Sequence, residues 1–168
     1  MAQPLLSNSS PITAQNRVRT MIRSNEGFTE RPFLDTEGNR TVGIGFNISD
    51  PSIAKFVPRD VQSGQRALTV PEAKAIFDEK LLPIALGDAK SFVGDSTFSN
   101  LDPVRQRVLI DLSFNLGGPR LKTFKKLRSA IIKGDFQTAA TELLDSKYAT
   151  QVPNRARRNA QLLLTGGQ

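Results

Sequence analysis

The hydrophobic period of this chain changes once along its length, and that change bounds what it can fold into. Between Phe33 and Ile48, β-branched and apolar residues are interrupted by DTEGN and by GIG, which predicts short strands joined by a tight turn. Elsewhere the apolar residues recur at helical spacing. Thr13 caps a helix carrying Val18, Met21 and Ile22 on one face, expected to end near Asn25 or Glu26, ahead of Gly27. TVPE, Thr69 to Glu72, has capping-box spacing with Pro71 in the permitted first turn. The helix it opens is expected to kink or end near Leu82, ahead of Pro83. Asp102 and Pro103 start another, with Val104, Val108, Leu109, Leu112 and Phe114 as its apolar stripe and Gly117 as its stop. Thr123–Ile132, Asp135–Leu144 and Pro153–Leu164 complete the helices, while Ser49 to Leu68 reads as a loop. The expected class is α+β: a small β-hairpin-containing N-terminal lobe and a larger all-helical C-terminal lobe, joined by a long helix beginning at Thr69.

Residues 1–12 read as a loose arm and 13–168 as a single domain, with the small β lobe at about 26–68 and the helical lobe at about 69–168 plus the first helix. At 168 residues the chain is long enough to bury a core. It has no cysteine and no histidine. Disulfides, thiolate metal sites and imidazole chemistry are therefore excluded, and any catalysis must come from carboxylates, hydroxyls, Lys, Arg or Tyr148. No apolar run approaches the roughly 20 residues needed to span a bilayer. The amino terminus shows neither a basic leader nor an apolar segment of signal length, so folding in a cytoplasm is expected.

Net charge is +7, and all of it lies in the last 49 residues: positions 1–119 hold 13 basic and 13 acidic residues, positions 120–168 hold 10 and 3. That asymmetry fits an anionic partner for the C-terminal part, such as nucleic acid, an anionic membrane or an acidic wall polymer. A solvated face that serves solubility fits it as well.

The stretch NEGFTERPFLDTEGNRTVGIGFN, Asn25 to Asn47, collects four carboxylates, Glu26, Glu30, Asp35 and Glu37, and four glycines. A calcium loop fits poorly, because Gly38 falls at the fourth position where the sixth is needed. A phosphate cradle fits worse, since GIG lacks a third glycine and no Walker lysine follows. A plain turn remains a full explanation of Asp, Gly and Asn at these positions. So does a pair of catalytic carboxylates. Glycoside hydrolysis requires one carboxyl kept protonated and another kept ionised. Glu26, at a helix C-terminus, faces the negative end of the dipole, and Asp35, at the head of the turn, has backbone N–H groups nearby to keep it charged.

Three blocks together carry a resemblance. Glu26, then Asp35, then Thr41 followed by VGIG resembles the catalytic signature of the phage-type lysozymes, glycoside hydrolase family 24, muramidases of the T-even coliphage kind. LDPVRQRVLIDLSFNLG, Leu101 to Gly117, is similar to the family's central buried helix, and YATQVPNRARR, Tyr148 to Arg158, to its C-terminal segment. Their order and spacing match from about Arg17 to Leu164. The resemblance implies a lysozyme-like fold with Glu26 as general acid, Asp35 supporting the developing positive charge or orienting water, and Thr41 helping to place that water. It matches Arg155 to an arginine that approaches the catalytic glutamate, and Asn115 to an amide that lines the cleft and could hydrogen-bond substrate, a purely structural role for Asn115 being equally open. Phe46 stands where well-known members have histidine, from which a difference in stability is expected.

The function implied is that of an endolysin: a bacteriolytic peptidoglycan hydrolase cleaving the β-1,4 bond between N-acetylmuramic acid and N-acetylglucosamine with inversion, acting as a monomer and without cofactor or metal. Peptidoglycan is the expected partner, with anionic outer-membrane or wall polymers meeting the basic C-terminal lobe and no specific nucleic acid. Such a protein would gather in the host cytoplasm and reach the wall in the periplasm through holes made by another protein. A virion-borne lysozyme for entry, an inert wall-binding protein of the same fold, and a basic nucleic-acid-binding protein are the alternatives.

Overall fold

The computed structural model of the chain describes residues 27–166. The expected arm, the expected helix from Thr13, and Glu26 itself lie outside the described residues. Within them the architecture is α+β, mostly helical with a three-stranded antiparallel sheet, the class expected of a lysozyme-like chain. The chain divides into two compact units whose boundary falls between Ile84 and Ala85.

The smaller unit is built on the sheet. Strands β1 (Thr29–Leu34), β2 (Arg40–Gly43) and β3 (Phe46–Asn47) lie in that order, with β2 in the middle. Leu34 pairs with Arg40 and Phe33 with Thr41, and the register then slips before Thr29 meets Gly43. Pro32 sits inside that irregular stretch. Having no N–H to give to a ladder, proline is tolerated at a bulge on an edge strand and hardly elsewhere. Val42 pairs with Phe46, and both side chains are buried. Gly43, at φ +68°, could not be replaced without strain, since a Cβ there would come within 2.8 Å of the Phe46 ring and 2.9 Å of Leu68. Phe46 is thus a core residue of the sheet, packed where the backbone leaves room for its ring.

Ser49 to Leu68 is not the plain loop expected. It holds two short helices, α1 (Pro51–Ala54) and α2 (Arg59–Gln62). Asp50 caps the first, its Oδ1 accepting from the backbone N–H and the hydroxyl of Ser52, with Pro51 at the first helical position. Single-turn helices have no hydrophobic period of their own, so the local cap is their only mark in a sequence.

The capping box is present as expected and opens α3 (Val70–Ile76). Glu72 does double duty there. Its carboxylate accepts from the Thr69 N–H at 3.0 Å and from both terminal nitrogens of Arg66 at 2.9 and 3.0 Å. The Arg66 guanidinium first, and then the Thr69 backbone N–H, hold the carboxyl well below the usual range, at about 2. A lowered carboxyl pKa stabilises the folded state above the unfolded value and loses that contribution as pH falls toward the folded one. Because the side chain keeps about a third of its surface exposed (34%), solvent screening limits the effect to about 1 kcal/mol or less. In thermal melts, wild type should exceed Glu72→Gln in stability at pH 6, and the gap should close as pH falls from about 4.5 to about 2. A gap independent of pH would remove the ion pair as its source.

The helix does not end at Pro83. A π-helical turn, Phe77–Leu81, follows α3 directly and runs into α4 (Leu82–Val93). At its end the Leu82 N–H reaches back five residues to the Phe77 carbonyl. Widening the turn just ahead of Pro83 relieves the clash that its ring would make in a regular α-helix, and the chain continues. Gly94, at φ +90°, is where α4 stops.

Among the described residues the larger unit is helical: α5 (Asp95–Asn100), α6 (Pro103–Leu116), α7 (Gly118–Leu121), α8 (Lys125–Lys133), α9 (Phe136–Leu144), α10 (Lys147–Gln151) and α11 (Pro153–Thr165). Asp102 caps α6 by accepting from the Arg105 N–H at 3.0 Å, and Asp135 caps α9 by accepting from Thr138. Helix α11 packs against α9, α10 and α6. Its buried face, Arg155, Ala156, Asn159, Ala160 and Leu163, follows the i, i+1, i+4, i+5, i+8 spacing of a core stripe. Arg105 ties its far end to α6. The guanidinium donates to the Leu163 and Leu164 carbonyls at 2.6 and 2.9 Å, pairs with Asp102, and lies 3.5 Å from the centre of the Phe136 ring. The carbonyls it serves lie in the last turn of α11, where intrahelical donors run out.

Candidate active site

The turn between β1 and β2 is organised by two side chains, Asp35 and Asn39. Asp35 Oδ1 accepts from the backbone N–H of Glu37 at 2.9 Å and of Asn39 at 2.8 Å, while Oδ2 accepts from Asn39 Nδ2 at 3.3 Å. In the backbone, the Asp35 N–H donates to the Asn39 carbonyl at 2.9 Å and the Gly38 N–H to the Asp35 carbonyl at 3.0 Å. This is Asx-turn chemistry: the short carboxylate folds back on the N–H two residues on. Its consequence is a half-buried carboxylate held by three donors at the end of the β1–β2 ladder.

Thr41 stands on β2, opposite Phe33 on one side and Asn47 on the other, and is only 7% exposed. Among the described residues its hydroxyl makes one long hydrogen bond, 3.4 Å, to the Asn39 carbonyl. Asn39 therefore holds both residues, donating to Asp35 and accepting from Thr41. Of the five residues singled out in the sequence, Asp35 and Thr41 are brought together on the smaller unit. Asn39, which joins them, was passed over because a turn asparagine is fully explained by the turn.

Asn115 and Arg155 belong to the larger unit. Asn115 is half-buried in the last turn of α6, and its side chain makes no hydrogen bond among the described residues. Arg155, in the first turn of α11, is buried, unlike its exposed neighbours Arg157 and Arg158. Its Nε donates to Asp111 Oδ2 at 3.0 Å and its Nη2 to Asp111 Oδ1 at 2.6 Å, a two-pronged pairing of guanidinium and carboxylate. Asn159 Nδ2, one turn along α11, donates to the same Oδ2 at 2.8 Å and lies 3.3 Å from the hydroxyl of buried Tyr148. Asp111 itself has no exposed surface.

That cluster went unread in the sequence although half of it was visible. A lone carboxylate within VLIDLSF, on a helix otherwise apolar in that stretch, must be paired or protonated when buried. Nothing local names its partner, which lies 44 residues away.

The model of the phage lysozyme family matches residues 23–161. A probable T4-type lysozyme 1 of Dictyostelium discoideum is 30% identical over 162 residues, covering 89% of this chain and 94% of that protein. A second probable T4-type lysozyme of the same organism is 29% identical over 161 residues, with the same coverage. The pre-baseplate central spike protein Gp5 of Enterobacteria phage T4 is 28% identical over 158 residues, which make up 87% of this chain and 27% of that one. The chain belongs to the phage lysozyme family and is a peptidoglycan hydrolase of lysozyme type.

Proposed function

We propose that the protein is an N-acetylmuramidase that hydrolyses the β-1,4 bond between N-acetylmuramic acid and N-acetylglucosamine with inversion at the anomeric carbon. Glu26 is the general acid that protonates the leaving oxygen. Asp35 supports the positive charge that develops on the sugar or orients the attacking water, and the Thr41 hydroxyl places that water. The observation that carries this reading is the coupling of Asp35 and Thr41 through Asn39, which holds a carboxylate and a hydroxyl at fixed separation on one hairpin. Placing the water-handling groups in advance lowers the entropic cost of bringing water to the reacting centre. Asn115, with an amide not engaged among the described residues, supports a role in binding sugar hydroxyl or acetamido groups.

An inverting enzyme keeps its carboxyls roughly 6.5–9.5 Å apart so that water fits between substrate and base. The stereochemical test follows directly. Early-time proton NMR of digested sacculi should show the α-anomer of the new reducing end first. An initial β-anomer would mean retention and a nucleophilic Asp35, and anhydro-sugars in the mass spectrum would mean a transglycosylase.

As to biology, the reading is an endolysin that accumulates in the host cytoplasm and meets the wall from inside once the membrane is opened. Its C-terminal excess of positive charge would raise encounter rates with anionic wall and outer-membrane polymers in a salt-sensitive way. The likeness to part of a baseplate spike protein favours a second reading, a lysozyme carried on the virion for entry. Whether the protein is found in purified particles or only in infected-cell lysate separates the two.

A further inference from the structure

We infer that Phe33 is a sugar-stacking residue, offering a pyranose ring of the glycan a flat apolar surface beside Thr41; this rests on the glycosidase reading above. Phe33 on β1 is the direct partner of Thr41 on β2, and Thr41 is in turn the partner of Asn47 on β3. Directly paired residues of an antiparallel sheet project from the same face with Cβ atoms roughly 4.5–5.5 Å apart, so an aromatic ring, a hydroxyl and an amide stand in one row. The adjoining pair, Val42 and Phe46, points to the opposite face and is buried there.

Packing does not account for Phe33, which leaves 46% of its surface exposed. A lone exposed apolar side chain is ordinary; Phe33 is set apart by its row and by how its backbone is held. The register slip that contains Pro32 lies just before it, and such bulges re-aim the side chain that follows. The Leu34–Arg40 pair and the Asp35 turn lie just after it. With the backbone fixed on both sides and only two side-chain torsions to settle, ordering this ring on a ligand costs little entropy. A β-1,4-linked pyranose with equatorial substituents presents its axial C–H groups as an apolar patch, and the negative face of an aromatic ring attracts them. Beside the ring, the Thr41 hydroxyl and the Asn47 amide are placed to meet the sugar's polar rim. A peptide adding to β1 as a further strand fits less well, because the slip and Pro32 break the ladder along that edge.

The test exploits the absence of tryptophan from the chain. Phe33→Trp keeps a flat ring and makes it the protein's single indole reporter, Phe33→Leu keeps apolar bulk without the ring, and Phe33→Ala loses both. KM and kcat are measured on solubilised peptidoglycan strands, well below the melting temperature of each variant. Phe33→Ala and Phe33→Leu should raise KM about fivefold to tenfold with kcat changed less than about threefold, the mark of binding shared by ground and transition states. Phe33→Trp should hold KM within about threefold of wild type. With Glu26→Gln added to prevent turnover, its indole emission should shift to the blue as the strands are titrated in. Wild-type KM in folded Phe33→Ala, a KM preserved by leucine as well as by tryptophan, a loss confined to kcat, or an indole emission that does not move each overturns the stacking role alone. A wild type that does not turn over the strands overturns the glycosidase reading, and this role with it, before any variant is compared.

Discussion

Replacing Glu26 with glutamine is expected to leave the protein folded and to slow clearing of purified sacculi on the order of 10³-fold. The amide matches the carboxyl in size and still hydrogen-bonds, but it has no proton to donate to the leaving oxygen. Breaking a glycosidic bond without that proton expels an alkoxide from the sugar, and nothing else in a chain lacking histidine and cysteine is an obvious substitute acid. Circular dichroism and melting temperature should match wild type, which separates a lost acid from a lost fold. Full clearing activity in the folded variant would remove Glu26 from the mechanism.

The second large effect concerns stability and the Asp111–Arg155 pair. Asp111→Leu takes its carboxylate partner from a buried guanidinium, and Arg155→Met takes the guanidinium from a buried carboxylate. Each should cost about 3–5 kcal/mol in urea unfolding at neutral pH. The double variant Asp111→Leu/Arg155→Met removes both charges at once and should recover most of that loss. A residual deficit of about 1 kcal/mol is expected, because Asn159 loses its Asp111 acceptor. Strong non-additivity in this cycle is the mark of a desolvated pair in contact. Single variants that cost less than about 1 kcal/mol each would mean that water reaches the pair in solution.

Helix starts and stops were legible because their causes are local. The TVPE box before α3, Asp102-Pro103 before α6, Asp135 before α9 and Pro153 at the start of α11 each satisfy helix-end N–H groups from within three residues, or dispense with one. The hairpin was legible for the same reason, DTEGN carrying its own turn chemistry. Of the expectation that the helix would kink or end near Leu82, the ending did not occur, because the backbone had a further option, a π turn, that sequence spacing does not announce. The short helices between Ser49 and Leu68 escaped because a single turn buries too little to leave a period.

By itself, then, the sequence determined the class of fold, the family, and which carboxylate and hydroxyl share the hairpin, all of which follow from interactions within a few residues or from motifs in order. Tertiary structure alone decided how Arg155 is held. Whether an arginine in PNRARR is a solvated surface charge or a buried, aimed cation depends on a carboxylate 44 residues earlier in the chain. Burial makes that pairing obligatory, since neither charge can be left alone in an apolar seam, but only the packing of α11 on α6 says which two charges meet.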